Sequence, residues 1–453
     1  MVVPTVALVG GVSIAMVAAM AVWSAEAPTG VPASPGRSPA ARLAVLTRGI
    51  NTAHWFAQTG DYSDKHLQGY ITASDAALMK SLGFRHVRFP FNERTVIDPE
   101  KPLVLNPEKM KVFDAALKML LDRGLAVVVD FHPEDDYKAP LEKDDAAVDR
   151  FVALWGALAK HLAGLDPDKV FLEVMNEPIV GNPARWDAIQ GKVLAAMRAA
   201  APRHTLVATG CKWSGVNELV EITPVKDPNV VYNFHLYEPI TFTHQEATWG
   251  WEMWRHFKNV PYPSSPEAIE KILPGIAHEP AKAPLRQYGQ ERWNAARIEA
   301  VVARAAEWGA KHGVALTCNE FGAFRKAPAA DRGRWIQDVR TALEKYHIGW
   351  AMWDYSGGFS VALGPPGHRT ADPDTVKALG LTFSRRRTTP ERRPAGRPGS
   401  APARPPSRAA RPAAWAPRRP GPQHRWRPSG GPRRARPSRP RPAASRRGRH
   451  RCR

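Results

Sequence analysis

Two glutamates stand directly after short apolar stretches that are typical of buried strands. Glu177 closes the run Val170-Phe-Leu-Glu-Val-Met-Asn-Glu-Pro178, where Pro178 cannot continue a strand ladder. Glu320 closes the similar run Val314-Ala-Leu-Thr-Cys-Asn-Glu320. One such glutamate alone could cap the helix that follows. Because hydrolysis of a glycosidic bond needs two carboxyl groups that face each other, the pair predicts a catalytic site.

That reaction needs one carboxyl group protonated and the other ionised. Arg88 lies near the end of another apolar stretch and could hold one carboxylate ionised. The ends of the other stretches carry groups that could bind a carboxylate or a sugar: His132, Asn176, His235, Tyr237 and Trp353. Each of these has a structural explanation on its own, as an ion pair, a loop residue or core filling. Their joint position at strand ends favours a sugar-binding site.

The elements that must position these residues alternate along the chain. Apolar runs typical of strands alternate with helical spacing over about 340 residues. The predicted strands cover residues 42–51, 84–90, 125–129, 170–175, 205–208, 229–235, 314–319 and 348–353. This pattern predicts an α/β protein with a closed (β/α)8 TIM barrel over residues 42–383. A doubly wound open sheet is the alternative, but no glycine-rich phosphate loop follows the first strand.

The connection over residues 236–290 is long and rich in aromatic side chains. It contains Trp249, Trp251, Trp254 and Tyr262. Long ordered loops at the active end of a barrel are usually functional. These rings could stack on sugars or pack the loop onto the barrel.

The ordered set of motifs resembles glycoside hydrolase family five, the cellulase-type barrels. The motifs are Arg88, His132, Asn176-Glu177-Pro178, His235-Leu236-Tyr237, Glu320-Phe-Gly322 and Trp353. The opening Arg48-Gly-Ile-Asn51, followed by Trp55-Phe56, also resembles that family, and the match spans residues 42–381.

The resemblance implies a retaining hydrolase that forms a covalent glycosyl intermediate on β-linked glycans. Glu177 would be the acid/base and Glu320 the nucleophile, with Tyr237 bonded to Glu320 and His54 lining the cleft. An endo-β-1,4-glucanase is the expected activity. A β-mannanase, an exo-β-glucosidase or a non-catalytic glycan-binding protein are the alternatives.

The formal net charge of +21 is concentrated at one end of the 453 residues. Residues 384–453 contain 23 arginines, 15 prolines, one glutamate and no lysine, while the other 383 residues hold 41 basic and 42 acidic side chains. The composition predicts a disordered tail that could bind polyanions or RNA, or that is a frameshifted translation of a GC-rich gene. The neutral remainder is not expected to bind nucleic acid.

The first 27 residues have the features of a secretory signal peptide, although no Lys or Arg precedes the apolar run. Residues 2–23 could also serve as an uncleaved membrane anchor. Residues 28–41, rich in Pro, Ala, Gly and Ser, are predicted to be a flexible linker. A secreted or periplasmic protein is therefore expected.

Three cysteines occur without metal-binding spacing, and Cys211 and Cys318 are predicted to be buried free thiols, with Cys452 in the tail. No metal or cofactor is expected, and the protein is expected to act as a monomer. A metal hydrolase remains a rival reading, with two candidate ligand sets: His132 with Glu134, Asp135 and Asp136, or His235 with His244.

Overall fold

A computed structural model describes residues 42–98 and 100–382 of the chain. The predicted signal peptide, linker and basic tail (residues 1–27, 28–41 and 384–453) lie outside the described residues. Among the helices of the described part, none has both the length and the apolar character needed to cross a bilayer.

Eight parallel strands close into a barrel, and a helix follows each strand. In chain order these elements are β1 Gly49–Asn51, α1 Ala73–Ser81, β2 His86–Phe91, α2 Pro107–Asp122, β3 Ala126–Phe131, α3 Asp145–Leu162, β4 Val170–Glu173, α4 Pro183–Ala200, β5 Thr205–Thr209, α5 Val216–Leu219, β6 Val230–Leu236, α6 Ala295–His312, β7 Ala315–Phe321, α7 Ala329–Lys345, β8 Gly349–Met352 and α8 Pro373–Ala378. Gly49 of β1 pairs with Ala351 of β8 and closes the ring. The predicted (β/α)8 barrel is confirmed, and the open-sheet alternative is wrong.

The helices begin and end where the sequence supplies capping groups. Thr72 and Asp75 form a reciprocal capping box at the start of α1. Asn106 accepts hydrogen bonds from two backbone amides at the start of α2, whose first residue is Pro107. Gly313 ends α6 with φ of +65°, a left-handed conformation that favours glycine.

Successive residues of each strand point alternately to the helices and to the barrel interior. In β3, Val127 and Val129 pack outward against the helices, whereas Ala126 and Val128 face an interior core. The next inward position is Asp130, which is fully buried near the carboxyl end of the strand. The apolar interior therefore gives way to polar side chains at the end where TIM barrels place their chemistry.

The first predicted strand begins too early. Residues Ala44–Thr47 form a 3₁₀ helix instead of a strand, and only Gly49–Asn51 pair in the barrel. Leu46 from this helix is 1% exposed and packs into the interior core with Phe171 and Val207. The apolar residues before Gly49 thus close the amino-terminal end of the barrel.

Two further boundaries differ from the prediction. The predicted helix over residues 291–312 begins later, at Ala295, as α6; Glu291 instead ends a separate helix, Lys282–Glu291, and Arg292 between the two is left-handed with φ of +51°. The connection over residues 236–290 contains short helices, among them Ile240–Thr243 and Pro266–Ile272. Strand β4 ends at Glu173, two residues before its predicted end.

The two cysteines within the described part, Cys211 and Cys318, are buried and free. The prediction of buried thiols is confirmed for both.

Candidate active site

Arg88, in the middle of β2, is the centre of the buried polar cluster. Its Nε and Nη2 atoms donate to the two carboxylate oxygens of Glu173, each at 2.9 Å. Its Nη1 atom donates to Oε1 of Glu320 at 2.5 Å. Arg88 is fully buried, and an arginine can occupy such a position only when carboxylates surround it. One guanidinium group therefore fixes carboxylates from β4 and β7.

Two asparagine side chains and Asp130 complete the contacts of the guanidinium. Nη1 donates to Oδ1 of Asn51 at 3.1 Å, and Nη2 donates to Oδ1 of Asn176 at 3.0 Å. Nη2 also lies 3.0 Å from Oδ2 of Asp130. Burial raises the pKa of Asp130 to about 6, although Arg88 opposes that shift. The planar guanidinium group of arginine can donate to several partners in fixed directions, which the ammonium group of a lysine could not do.

Asn176 links Arg88 to His132. Because Oδ1 of Asn176 accepts from Arg88, its amide nitrogen donates to Nε2 of His132 at 3.0 Å. The proton of His132 then lies on Nδ1, which donates to Asp130 at 2.9 Å. Burial holds the pKa of His132 well below its ordinary value, so the ring is neutral. The two hydrogen bonds fix the orientation of the His132 ring.

Glu320 faces the site because β7 contains a bulge. Phe234 of β6 pairs with Cys318 of β7, but the next residue, His235, pairs with Glu320. Asn319 is therefore an extra residue in β7. Asn319 and Glu320 can therefore both point inward: Asn319 donates to Glu173 at 2.7 Å, while Glu320 reaches Arg88.

The second oxygen of Glu320 accepts from the hydroxyl group of Tyr237 at 2.8 Å. Burial raises the pKa of Tyr237 well above its ordinary value, so the hydroxyl keeps its proton. Glu320 thus accepts hydrogen bonds from two donors, one cationic and one neutral.

Glu177 lies in the turn after β4 and has a left-handed backbone with φ of +42°. Such a conformation costs about 1–3 kcal/mol in a residue with a side chain and is often found at functional sites. Its Oε1 atom lies 2.9 Å from Nδ1 of His235. Burial raises the pKa of Glu177, and burial lowers the pKa of His235 to about 4. A neutral imidazole therefore faces a carboxyl group that is hard to ionise.

The two glutamates meet across a short gap. One oxygen of Glu177, one oxygen of Glu320 and a ring nitrogen of His235 all lie within 4.8 Å of one another. Glu177 retains a side chain that is 23% exposed, whereas Glu320 is 5% exposed. The pair is open to a ligand on the side of Glu177.

Trp353 directly follows β8 and lies beside the cluster. Its ring stacks on that of His132, with centroids 5.8 Å apart and planes 19° from parallel. It packs with Ala53, Phe359 and Tyr237. This is an apolar surface at the edge of a hydrogen-bonded polar cluster, an arrangement that suits a sugar ring.

The structure thus places seven predicted residues in one polar cluster. Hydrogen bonds join Arg88, His132, Asn176, Tyr237 and Glu320. The hydrogen-bonded pair of Glu177 and His235 lies beside them, with Nδ1 of His235 at 3.7 Å from Oε2 of Glu320. Trp353 contacts it through ring stacking. His54 does not join this cluster; its nearest charged neighbour is Asp354, with Nε2 to Oδ2 at 3.8 Å.

Neither metal-ligand set of the rival hypothesis is assembled within the described residues. His132 contacts Asp130 and Asn176 rather than the acidic residues that follow it. His244 forms a hydrogen bond with the hydroxyl group of Thr243 and packs against Tyr237, whereas His235 faces Glu177.

Sequence reasoning missed the residues that contact Arg88 or its partner Glu173: Asn51, Asp130 and Glu173 contact Arg88, and Asn233 and Asn319 contact Glu173. Glu173 had a visible signal, since it is the one charged residue in the apolar run over residues 170–175. A charge at such a place needs a partner of opposite charge in the core.

The model of the family Cellulase (glycosyl hydrolase family 5) matches residues 44–358 of the chain. The chain belongs to glycosyl hydrolase family 5. It is therefore a glycosidase, an enzyme that hydrolyses glycosidic bonds, and the proposed resemblance is confirmed.

Endoglucanase C of Acetivibrio thermocellus is 28% identical over 313 residues, which are 68% of this chain and 90% of that protein. Cellodextrinase A of Ruminococcus flavefaciens is 24% identical and covers 67% of this chain and 83% of its own length. Among solved structures, Thermotoga maritima Cel5A in complex with mannotriose has a TM-score of 0.63 and 25% identity. It covers 76% of this chain and 100% of that one. The same Cel5A in complex with cellobiose has a TM-score of 0.61 and 26% identity, with coverage of 76% and 100%.

Proposed function

We propose that this family 5 glycosidase is a retaining endo-β-1,4-glucanase. The observation that carries the retaining mechanism is the approach of the Glu177 and Glu320 oxygens to within 4.8 Å. Retaining enzymes hold their carboxyl groups about 5–5.5 Å apart, whereas inverting enzymes leave about 6.5–9.5 Å for a water molecule. This gap suits direct attack on the sugar by a carboxylate.

The surroundings of each glutamate support its role. Glu320, which accepts from Arg88 and Tyr237, is suited to be the ionised nucleophile that attacks the anomeric carbon. Glu177, with a raised pKa and a neutral histidine as neighbour, is suited to protonate the leaving oxygen. After the leaving group departs, Glu177 as a carboxylate would take a proton from the water that attacks the glycosyl intermediate.

Exposed tryptophans near both catalytic strands support a polymeric substrate. Trp213, 54% exposed, donates its backbone N–H to the carbonyl oxygen of Pro178, next to Glu177. Trp249, 47% exposed, packs on Phe324 in the turn after the Glu320 strand. Indole faces of this kind can stack on sugar rings beyond the cleavage point, as endo action requires.

The relatives favour a β-glucan and keep mannan as a second candidate. Endoglucanase C and Cellodextrinase A carry names of glucan hydrolysis. The Cel5A structures contain cellobiose in one case and mannotriose in the other. The second candidate is therefore a β-mannanase on the same site.

The deciding experiment is hydrolysis of carboxymethyl-cellulose, mixed-linkage glucan, xyloglucan, mannan and xylan by the purified protein. We expect a rapid fall in the viscosity of carboxymethyl-cellulose with mixed oligosaccharide products. Mannan hydrolysis alone would establish the second candidate, and release of single glucose units would establish exo action. Binding without turnover would reduce the protein to a glycan-binding function. The matched control is Glu320→Gln, which should bind but not hydrolyse.

The location and domain limits of the protein complete the proposal. The apolar residues 2–23 and the small-residue site at 25–27 support export, with a mature chain that begins near residue 28. We propose a secreted or periplasmic enzyme that acts as a monomer. Amino-terminal sequencing of the exported protein and its sedimentation would test these points.

A further inference from the structure

Lys138 is a buried lysine in the connection between β3 and α3. It ends the short helix Asp135–Lys138 and is only 4% exposed. Among the described residues, the one carboxylate within 4.0 Å of its Nζ atom is that of Asp135, which lies at this limit and is 68% exposed. An ion pair of this kind stabilises little. Because a buried ammonium group is costly without negative charge nearby, Lys138 needs a further anionic partner.

Hydrogen bonds hold the β3–α3 connection against the segment that follows Glu177. A carboxylate oxygen of Glu142 accepts from the backbone N–H of Gly181, four residues after Glu177, at 2.5 Å. The carbonyl oxygen of Leu141 accepts from Nε of Arg185 at 3.2 Å. The loop that carries the buried lysine is therefore joined to the loop that carries the proposed acid.

The helix that ends in Lys138 is also anchored on the barrel. The ring of Tyr137 packs edge-on against the rings of Phe131 in β3 and Phe151 in α3, with centroids 5.0 and 6.2 Å apart. Phe131 directly precedes His132, whose ring belongs to the catalytic cluster. These contacts fix the backbone of the lysine close to the cluster.

The charge of Lys138 acts on Glu177. Burial raises the pKa of Glu177, and three groups oppose this shift, in decreasing order Lys138, His132 and Arg88. The ring of His132 is neutral, because burial holds its pKa well below the ordinary value. The guanidinium group of Arg88 is already bonded to other carboxylates. Lys138 is therefore the cation that remains available to Glu177.

The other titratable groups that face Glu177 do not replace this charge. They are Arg88 of β2, Asp130 and His132 at the end of β3, Asp135 of the β3–α3 connection, His235 of β6 and Glu320 of β7. Burial lowers the pKa of His235 to about 4, so its ring is neutral. Asp135 raises the pKa of Glu177, but by less than Lys138 lowers it.

The proposed reaction leaves a negative charge on Glu177. As Glu320 bonds to the anomeric carbon, the bond to the leaving oxygen breaks, and that oxygen takes the proton of Glu177. Glu177 thereby changes from a neutral acid to a carboxylate in a largely buried position. A nearby cation stabilises the charged form and not the neutral one.

We propose that the ammonium group of Lys138 stabilises the carboxylate of Glu177 that forms as the leaving oxygen is protonated. Lys138 acts through Glu177 and is therefore a positioning residue, not a catalytic one. The inference rests on the proposed function, in which Glu177 is the acid, and specifies how a buried glutamic acid gives up its proton.

The test replaces Lys138 with Met, which keeps the side-chain length without the charge, and with Arg, which keeps the charge. The substrates are phenyl β-cellobioside, whose leaving group needs a proton, and 2,4-dinitrophenyl β-cellobioside, whose leaving group does not. In Lys138→Met, the alkaline limb of kcat/KM for the phenyl glycoside should move up by about 0.5–1.5 pH units, because Glu177 keeps its proton to higher pH without the cation. The optimal kcat/KM should fall about 3- to 10-fold, because the acid is weaker.

Turnover of the dinitrophenyl glycoside should stay within about twofold of the wild type, because that leaving group needs no acid. Lys138→Arg should keep the wild-type alkaline limb. The matched control is Lys143→Met, which removes an exposed lysine from the same connection and should change neither substrate. An unchanged limb in folded Lys138→Met, an equal loss on both glycosides, or the same shift in Lys138→Arg would each refute the proposal.

If Lys138→Met does not fold, Lys138→Gln takes its place, and failure of both would assign the lysine a structural role and overturn the proposal. If the wild type hydrolyses neither glycoside, the proposed hydrolase fails, and carboxyl ¹³C NMR of labelled glutamate decides separately. The Glu177 signal, assigned by its loss in Glu177→Gln, should titrate at higher pH in Lys138→Met than in the wild type. The same titration in both proteins would overturn the role of Lys138.

Discussion

At the scale of single residues, the two glutamates differ in the partners that hold them. Arg88 and Tyr237 both donate to Glu320, whereas Glu177 faces a histidine that burial keeps neutral. The same type of side chain is thereby suited to two opposite tasks, because the two carboxyl groups have different neighbours.

Replacing the nucleophile should remove turnover in a recoverable way. Glu320→Ala is expected to lower kcat by about four to six orders of magnitude, the scale of losing a hydrolase nucleophile. Azide should fit the space left by the carboxylate and restore part of the rate on an activated aryl glycoside. The product should be the α-glycosyl azide, since azide attacks from the face that Glu320 occupied. A β-azide from this variant would contradict the assignment; Glu177→Ala should give that product instead.

Replacing the acid should lower the hydrolysis rate by an amount that depends on the leaving group of the substrate. In Glu177→Gln, kcat/KM should fall about 10²- to 10⁴-fold for an oligosaccharide, and far less for a dinitrophenyl glycoside that needs no protonation. Burial raises the pKa of Glu177, so in the wild type the acid is present below that pKa and lost as pH rises through it. The alkaline fall of oligosaccharide hydrolysis should therefore be missing in the variant. Equal losses on both substrates would show that Glu177 is not the acid.

At the scale of elements, strands from around the barrel meet on one guanidinium group. Glu173 from β4 takes two hydrogen bonds from Arg88 of β2 and one from Asn319 of β7. Asn233 of β6 approaches it at 3.4 Å. Glu173 has no exposed surface, so its role is to position Arg88, which in turn positions Glu320.

Removal of the Glu173 charge should therefore affect stability and catalysis together. Glu173→Gln leaves Arg88 with one fewer counter-charge and should cost about 3 kcal/mol, the lower range for breaking a buried ion pair. A displaced Arg88 should also lower kcat by about 10²-fold through misplacement of Glu320. Thermal unfolding and kcat measure the two effects. The control is Glu299→Gln, whose surface pair with Lys345 should be worth less than about 1 kcal/mol. Unchanged kcat in folded Glu173→Gln would refute the positioning role.

The strand-end chemistry could be predicted because a run of apolar residues that ends in a carboxylate is visible along the chain. Most strands and helices of the barrel could be predicted as well, because apolar residues recur with a different spacing in strands and in helices. The bulge at Asn319 could not be predicted, because it depends on the register of β6 and not on β7 alone. The predicted start of the first strand was wrong because the apolar Leu46 lies in a 3₁₀ helix and fills the end of the barrel. Arg292 adopts a left-handed turn that its residue type does not indicate.

At the scale of the whole molecule, charge separates the barrel from the tail. Residues 384–453 carry 23 arginines against one glutamate, and the other 383 residues are nearly neutral. The residues of the catalytic cluster and Trp353 lie between residues 88 and 353. Catalysis on a small soluble substrate should therefore depend on the barrel alone, whereas adhesion to anionic surfaces should depend on the tail.

Deletion of residues 384–453 tests this division. The shortened protein should keep kcat/KM for a dinitrophenyl cellobioside within about twofold, because its catalytic groups are unchanged. Retention on heparin at low salt should be lost, and in the full chain it should weaken steeply as salt rises, as expected for many arginine contacts. The control replaces the tail with a Gly/Ser segment of equal length, which keeps length but removes charge. Heparin binding by that control would place the basic surface on the barrel, against its near-zero net charge. An intact mass of the native product that lacks this segment would instead identify the tail as a product of frameshifted translation.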